Sequence, residues 1–328
     1  MVNLSITQNP KVSVIIPNYN HSPFLSKRID SVLCQTYQDF EVIILDDCST
    51  DSSKEIIESY KNHPKITKIV YNDVNSGTTF KQWDKGISLA SGEYIWFAES
   101  DDWCENSLLE CLVTGIESHK DCSISYCQSY CVEGDNKLRW TSHHEYLSEV
   151  MDGSEYIEKY LVLKVGIFNA SMALWRKSLY EKIDKDYMSY KFSGDWRFWV
   201  ELANRGKVHI SGKVLNYFRN HNLDVSGKMY SSGLNNFEEF SVLHSLLNKN
   251  YIEVRQYHKG IKQILRKYFN NKQNFTPKVR AEFEREFKNI QFSNLSISSF
   301  ILFCRNFYFM KSQLKRALYE LNLRKRIA

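Results

Sequence analysis

Three carboxylates stand within four residues in Trp96-Phe-Ala-Glu-Ser-Asp-Asp-Trp103. Glu99, Asp101 and Asp102 follow directly on Tyr94-Ile-Trp-Phe97, an apolar run with the character of a short buried strand. Like charges crowded this closely repel, so the folded chain must neutralise them or use them. A hard divalent cation with oxygen ligands would do both. A solvated acidic loop is the alternative. Two further polar clusters follow apolar runs: Asp46-Asp47 after Phe40 to Leu45, and Asn18-Tyr-Asn-His21 after Val12 to Pro17. Downstream, Trp196, Trp199, Val200 and Ala203 share a helix face, which puts Asp195 at the start of that helix.

The elements between these clusters decide whether they meet. Lys11 to Pro17, Phe40 to Leu45, Ile66 to Tyr71 and Glu93 to Ala98 read as strands. Helical spacing lies between them, opened by Ser22-Pro23 as cap and first-turn proline, and repeated from Ser52 to Tyr60 and Phe80 to Ala90. Such alternation predicts an α/β fold, a mostly parallel sheet flanked by helices. Ligands of such sheets bind where strands end at the carboxyl edge, so the three clusters should converge there. No Gly-x-Gly-x-x-Gly and no Gly-Lys-Ser/Thr loop follows the first strand, which argues against a Rossmann dehydrogenase or a P-loop ATPase. Further on, Ser107 to His119 and Ser154 to Lys164 have helical spacing. Ser123 to Val132 and Ala170 to Arg176 read as strands, and Val208 to Phe218 as a strand pair.

Composition bounds the rest. The 328 residues are 25% charged and 43% hydrophobic, and no apolar run is long enough to span a bilayer. The expectation is a cytoplasmic, non-secreted protein whose eight cysteines, with no Cys-x-x-Cys among them, are reduced thiols rather than zinc ligands. Charge is unevenly spread. Lys228 onward carries nineteen Lys/Arg against seven Asp/Glu, whereas the preceding part has a net charge of −7. We therefore expect residues 1–227 as one domain, with a nucleotide-binding half to about 110 and an acceptor half from about 111, and residues 228–328 as a basic helical region. Within the latter, Ser298 to Leu323 combines aromatic and aliphatic side chains with Lys and Arg. Peripheral contact with an anionic membrane, on the inner face of the plasma membrane, and packing on the domain with a solvated basic face are both open readings.

The ordered set of segments resembles the family 2 glycosyltransferases of the GT-A fold. Val12-Ser-Val-Ile-Ile-Pro-Asn-Tyr-Asn20 is similar to that family's first strand and turn. Phe40 to Asp51 is similar to its second strand, and Ala90-Ser-Gly-Glu-Tyr-Ile95 leading to Ser100-Asp101-Asp102 to its metal motif. The resemblance runs from about Lys11 to Trp103, returns at Gly194-Asp195 and His221, and fades beyond Lys228. It implies an inverting transfer of sugar from a nucleoside diphosphate to a hydroxyl of a glycan or polyprenyl-linked acceptor, in polysaccharide synthesis, with Mg²⁺ or Mn²⁺ as cofactor. It further implies Asp102 as metal ligand joined by His221, Asp101 as ribose or metal-adjacent partner, and Tyr19 stacked on the base between Pro17 and Asn20. Asp47 would accept from a base imide, which favours a UDP-linked donor, Lys81 would meet the phosphates, and Asp195 would act as catalytic base. Two departures stand out. Glu99 occupies a position where the family has Asp, and Trp83-Asp84 one where many relatives have Arg-Asn. The alternatives are a nucleotidyltransferase, which would want a Gly-rich basic loop where Asn18 to His21 stands, and a non-catalytic polyanion-binding protein using the basic C-terminal region. A nucleic-acid partner is not expected.

Overall fold

In the computed structural model the described residues are 10–134, 137–163, 165–221 and 235–289. The chain divides into two compact units, Met1–Asp224 and Val225–Ala328.

The first unit is built on one ten-stranded sheet. Strands β1 (Val12–Asn18), β2 (Phe40–Asp46), β3 (Ile66–Tyr71) and β4 (Tyr94–Phe97) pair in parallel, with β1 between β2 and β4. Every residue of β1, β2 and β4 is buried, as expected of near-continuous β-branched and aromatic runs covered on both faces. Helices α1 (Ser22–Leu33), α2 (Ser53–Tyr60) and α3 (Thr79–Leu89) provide the crossovers. The sheet then becomes mixed. β4 pairs antiparallel with β9 (Ala173–Arg176), β9 antiparallel with β6 (Cys122–Glu133), and β6 parallel with β10 (Lys207–Asn220). Short β5 (Trp103–Cys104), β7 (Lys137–Thr141) and β8 (Ser148–Asp152) complete it.

Three local expectations come out differently. Val208 to Phe218 is one strand, not a pair. The Ser211-Gly212 break is a bulge within β10, where the register against β6 shifts between Ile210 and Val214. Ala170–Met172 is a single 3₁₀ turn before β9, which turns Ser171 toward the carboxylates. Ser154 to Lys164 gives one α turn, α5 (Gly153–Tyr156), followed by a π turn at Ile157–Leu161.

Helices α4 (Leu108–Glu117) and α6 (Gly194–Ala203) pack against the second half of the sheet. An aromatic core fixes α6. Trp83 of α3 stacks on Phe97 at 4.2 Å between centroids, and Phe198 of α6 meets both Trp83 at 5.5 Å and Trp175 at 5.1 Å.

The second unit is helical over its described residues, with α7 (Asn235–Asn248), α8 (Val254–Asn271) and α9 (Pro277–Asn289). Tyr257, Ile261, Ile264, Leu265 and Tyr268 form the buried stripe of α8, and Tyr268 stacks on Phe283 of α9 at 3.9 Å. No helix among the described residues is long and apolar enough to cross a membrane. The basic stretch 298–323 lies outside the described residues.

Candidate functional site

The carboxyl ends of β1 and β2 are tied together by their own polar side chains. Buried Asn18 donates from Nδ2 to Asp46 Oδ1 at 2.8 Å. Asn20 takes a left-handed conformation (φ 55°), which asparagine tolerates better than most residues. There its backbone N–H meets Ser49 Oγ at 2.9 Å, and its Oδ1 accepts from the Thr50 N–H at 2.7 Å. Tyr19, between the two asparagines, is left 46% exposed, while Pro17 is buried in β1.

Asp47 does not cap α2. Asp51 serves that helix instead, accepting from the Ser53 N–H at 3.0 Å. The Asp47 carboxylate organises the loop from β3 into α3. Its Oδ1 accepts from Asn72 Nδ2 at 2.6 Å, the Ser76 N–H at 2.9 Å and Gln82 Nε2 at 2.9 Å, and its Oδ2 accepts from Ser76 Oγ at 2.8 Å. Oδ1 thus has three donors, whereas Oδ2 of this buried carboxylate has one donor and spare acceptor capacity. Lys81 is exposed on the first turn of α3 and donates to the Ser76 carbonyl at 3.0 Å.

The acidic turn separates its three carboxylates. Asp101 Oδ2 meets His221 Nε2 at 3.0 Å. His21 lies across from His221 with 5.6 Å between ring centroids, and its Nδ1 is 2.8 Å from Ser100 Oγ. Ligand atoms of His21, Asp101 and His221 all lie within 4.8 Å of one another, a group of two imidazoles and a carboxylate able to hold a metal ion. Burial pushes the Asp101 carboxyl up, but the hydrogen bond from His221 and the nearby His21 outweigh it and hold it below its ordinary value.

Asp102 points the other way. It is fully buried, accepts from Ser171 Oγ at 2.7 Å on Oδ2 and from the Arg219 N–H at 3.0 Å on Oδ1, and has Arg28 at 3.8 Å. Burial first, and the charge of Asp101 second, raise its carboxyl to about 7. Two arginines clamp the backbone of the same turn: Arg28 Nε donates to the Glu99 carbonyl at 2.8 Å, and Arg219 Nε to the Asp101 carbonyl at 2.7 Å. Asp102 therefore joins the acidic turn, the 3₁₀ turn before β9 and the end of β10, which is what brings His221 to Asp101. Glu99 accepts from Trp83 Nε1 at 2.9 Å; burial and then Asp101 push its carboxyl to about 8.

Trp83-Asp84 makes internal contacts in place of the family's Arg-Asn. Trp83 binds Glu99 from within the aromatic core, and Asp84 accepts from the Tyr180 hydroxyl.

Asp195 is half-buried in the first turn of α6, where its Oδ1 accepts from the Trp196 N–H at 2.7 Å. A Cβ at Gly194 would lie 2.4 Å from the Tyr187 carbonyl oxygen and 2.5 Å from Phe80 Cε2, so only glycine lets α6 start this close to α3. Through Phe80 and Trp83, α3 thus borders both Asp195's helix and Glu99.

The structure pairs His221 with Asp101, where the sequence reading joined it to Asp102, and adds His21, which reads in sequence as turn chemistry alone. It sets Asp102 beneath that group rather than in it. Arg28, Ser171 and Arg219 were also missed. Arg28 had a signal, since it falls on the apolar stripe of α1 with Leu25, Ile29 and Val32, where an unpartnered charge would be costly. Ser171 had none.

The model of the family described as glycosyl transferase family 2 matches residues 13–184. Glycosyltransferase GlyG of Streptococcus pneumoniae is 34% identical over 214 residues, which cover 65% of this chain and 69% of that protein. The poly(ribitol-phosphate) beta-N-acetylglucosaminyltransferase TarS of Staphylococcus aureus is 33% identical over 111 residues, 33% of this chain but only 19% of TarS. The crystal structure of S. aureus TarS 1–349 in complex with UDP superposes with a TM-score of 0.58 over 79% of this chain and 72% of that one, at 21% identity, a likeness of fold. With the family model matching half of the chain and GlyG aligned over two thirds of its length, this chain belongs to glycosyl transferase family 2 and is a glycosyltransferase that takes its sugar from a nucleotide-linked donor.

Proposed function

We propose that this enzyme transfers a sugar from a UDP-linked donor to a hydroxyl of a glycan acceptor, by metal-assisted single displacement with inversion at the anomeric carbon. The observation that carries the reading is the His21, Asp101 and His221 group at the sheet's carboxyl edge, downstream of the β1 turn that exposes Tyr19.

The donor set fits a divalent ion. Two imidazole nitrogens and a carboxylate oxygen within 4.8 Å of one another suit Mn²⁺ better than the oxygen-demanding Mg²⁺. Asp101, His221 and His21 would hold it, with Asp102 supporting from below. Bound there, the ion supplies positive charge to the diphosphate as it leaves.

The chain's own groups do the rest. Tyr19 offers its ring to the nucleobase, and Asp47 Oδ2 offers an acceptor to a pyrimidine imide N–H, which favours uracil. The UDP and UDP-GlcNAc complexes of TarS agree with that choice. Asp195, in the first turn of α6, takes the proton from the acceptor hydroxyl as it attacks. With the acceptor hydroxyl as the attacking group and Asp195 as its base, the single displacement inverts the anomeric carbon. The basic stretch 298–323 supports contact with anionic lipid, where a polyprenyl-linked acceptor would be met.

The test is release of UDP from UDP-GlcNAc, UDP-glucose and UDP-galactose, with Mn²⁺ or with EDTA, for the wild type and Asp195→Asn. We expect turnover of at least one donor with Mn²⁺, none in EDTA, and a loss of about 10²-fold or more in kcat for Asp195→Asn. Full turnover in EDTA contradicts the metal assignment, and an undiminished Asp195→Asn contradicts the base.

A further inference from the structure

We propose that Trp140 and Phe168 form a platform on which a pyranose ring of the acceptor stacks. This inference rests on the transferase reading above and names the acceptor's chemistry.

The two rings meet edge to face at 5.2 Å between centroids, yet remain 40% and 37% exposed. Isolated apolar residues on a surface mean little, but a contiguous exposed aromatic pair marks a ligand surface. Both are tied to the acidic turn. Trp140 sits on β7 opposite Cys131 of β6, which in turn lies opposite Phe218 of β10, so all three belong to one row across the sheet. Phe218 directly precedes Arg219, whose N–H holds Asp102. Phe168 directly precedes Asn169, whose Oδ1 accepts from the Ser171 N–H at 2.8 Å, and the Ser171 hydroxyl holds the other Asp102 oxygen. Each ring is thus linked by a short stretch of chain or one sheet row to a residue that holds buried Asp102.

The edges of the patch choose the occupant. Arg139, next to Trp140, donates to Asn220 Oδ1, and Asn169 carries a side-chain amide beside Phe168. Flat aromatic faces bordered by amide and guanidinium groups match a pyranose with equatorial hydroxyls, which presents C–H groups on its face and hydroxyls around its rim. An acyl chain would leave those polar edges unanswered.

Saturation-transfer NMR with methyl β-glucoside, methyl β-N-acetylglucosaminide, cellobiose and diacetylchitobiose tests this on the wild type, Trp140→Ala, Trp140→Phe and Phe168→Ala. We expect transfer concentrated on the C–H protons of one sugar face, reduced at least fivefold in Trp140→Ala and Phe168→Ala, and largely kept in Trp140→Phe. UDP binding by the wild type with Mn²⁺ is measured alongside. If UDP does not bind, the donor reading fails. If UDP binds but no glycoside does, or if glycoside transfer survives Trp140→Ala, the platform alone is overturned.

Discussion

Asp102→Ala should unfold this enzyme more readily, whereas Asp101→Ala should not. Asp102 is fully buried, holds two hydrogen bonds at 2.7 and 3.0 Å, and lies 3.8 Å from a fully buried Arg28. Removing one partner of such a pair leaves a buried cation uncompensated, typically at about 3–5 kcal/mol. The desolvation that raises the Asp102 carboxyl to about 7 offsets part of the pair's worth, so the lower end of that range applies. For a unit of this size the expected fall in Tm is roughly 10 °C. Asp102→Asn, which keeps the shape and one acceptor, should lose about 1–2 kcal/mol. Asp101 is partly exposed, and its charge opposes that of Asp102, so Asp101→Ala should stay within about 1 kcal/mol of the wild type. Thermal unfolding in EDTA at pH 8 keeps metal out of the comparison. An Asp102→Ala protein as stable as the wild type, or an Asp101→Ala protein equally destabilised, refutes this division of labour between the two aspartates.

Two further outcomes follow from the packing. Gly194→Ala places a Cβ against the Tyr187 carbonyl and Phe80, so α6 must shift; urea unfolding should report about 1–3 kcal/mol of destabilisation, with a parallel loss of UDP release because α6 carries Asp195. His209 is buried between Ser125 Oγ at 2.8 Å and Ser148 Oγ at 3.0 Å, and burial lowers it to about 4. The unfolded chain then binds a proton near pH 6.5 that the folded chain refuses until about 4. Stability is unaffected above 6.5 and declines across that window by about 3 kcal/mol, a decline that His209→Gln should lack in urea titrations at stepped pH.

Much of the first half was legible because its signals are local. The runs at Val12, Phe40 and Tyr94 are short, apolar and bounded by polar turns, and strand–helix alternation dictates parallel pairing. That pairing alone implied that Asn18 to His21, Asp46-Asp47 and Glu99 to Asp102 would share one edge. Which of two adjacent aspartates faces the edge was not legible, because it depends on Ser171 and Arg219, residues far away in sequence that arrive through a 3₁₀ turn and a bulged strand. A bulge has no strong sequence mark, and Ser211-Gly212 reads equally as a hairpin turn. The buried arginine on α1 was the clue left unused, since its position on the apolar stripe demands a buried anion.

In the proposed mechanism Asp101, with His221 and His21, holds the metal that the transfer requires. Titration of Mn²⁺ into the 328-residue protein in the presence of UDP, followed by calorimetry, decides the point. One bound ion is expected for the wild type and for Asp102→Asn, with affinity reduced at least tenfold in Asp101→Ala and His221→Ala. Undiminished binding in Asp101→Ala together with loss in Asp102→Asn would contradict it.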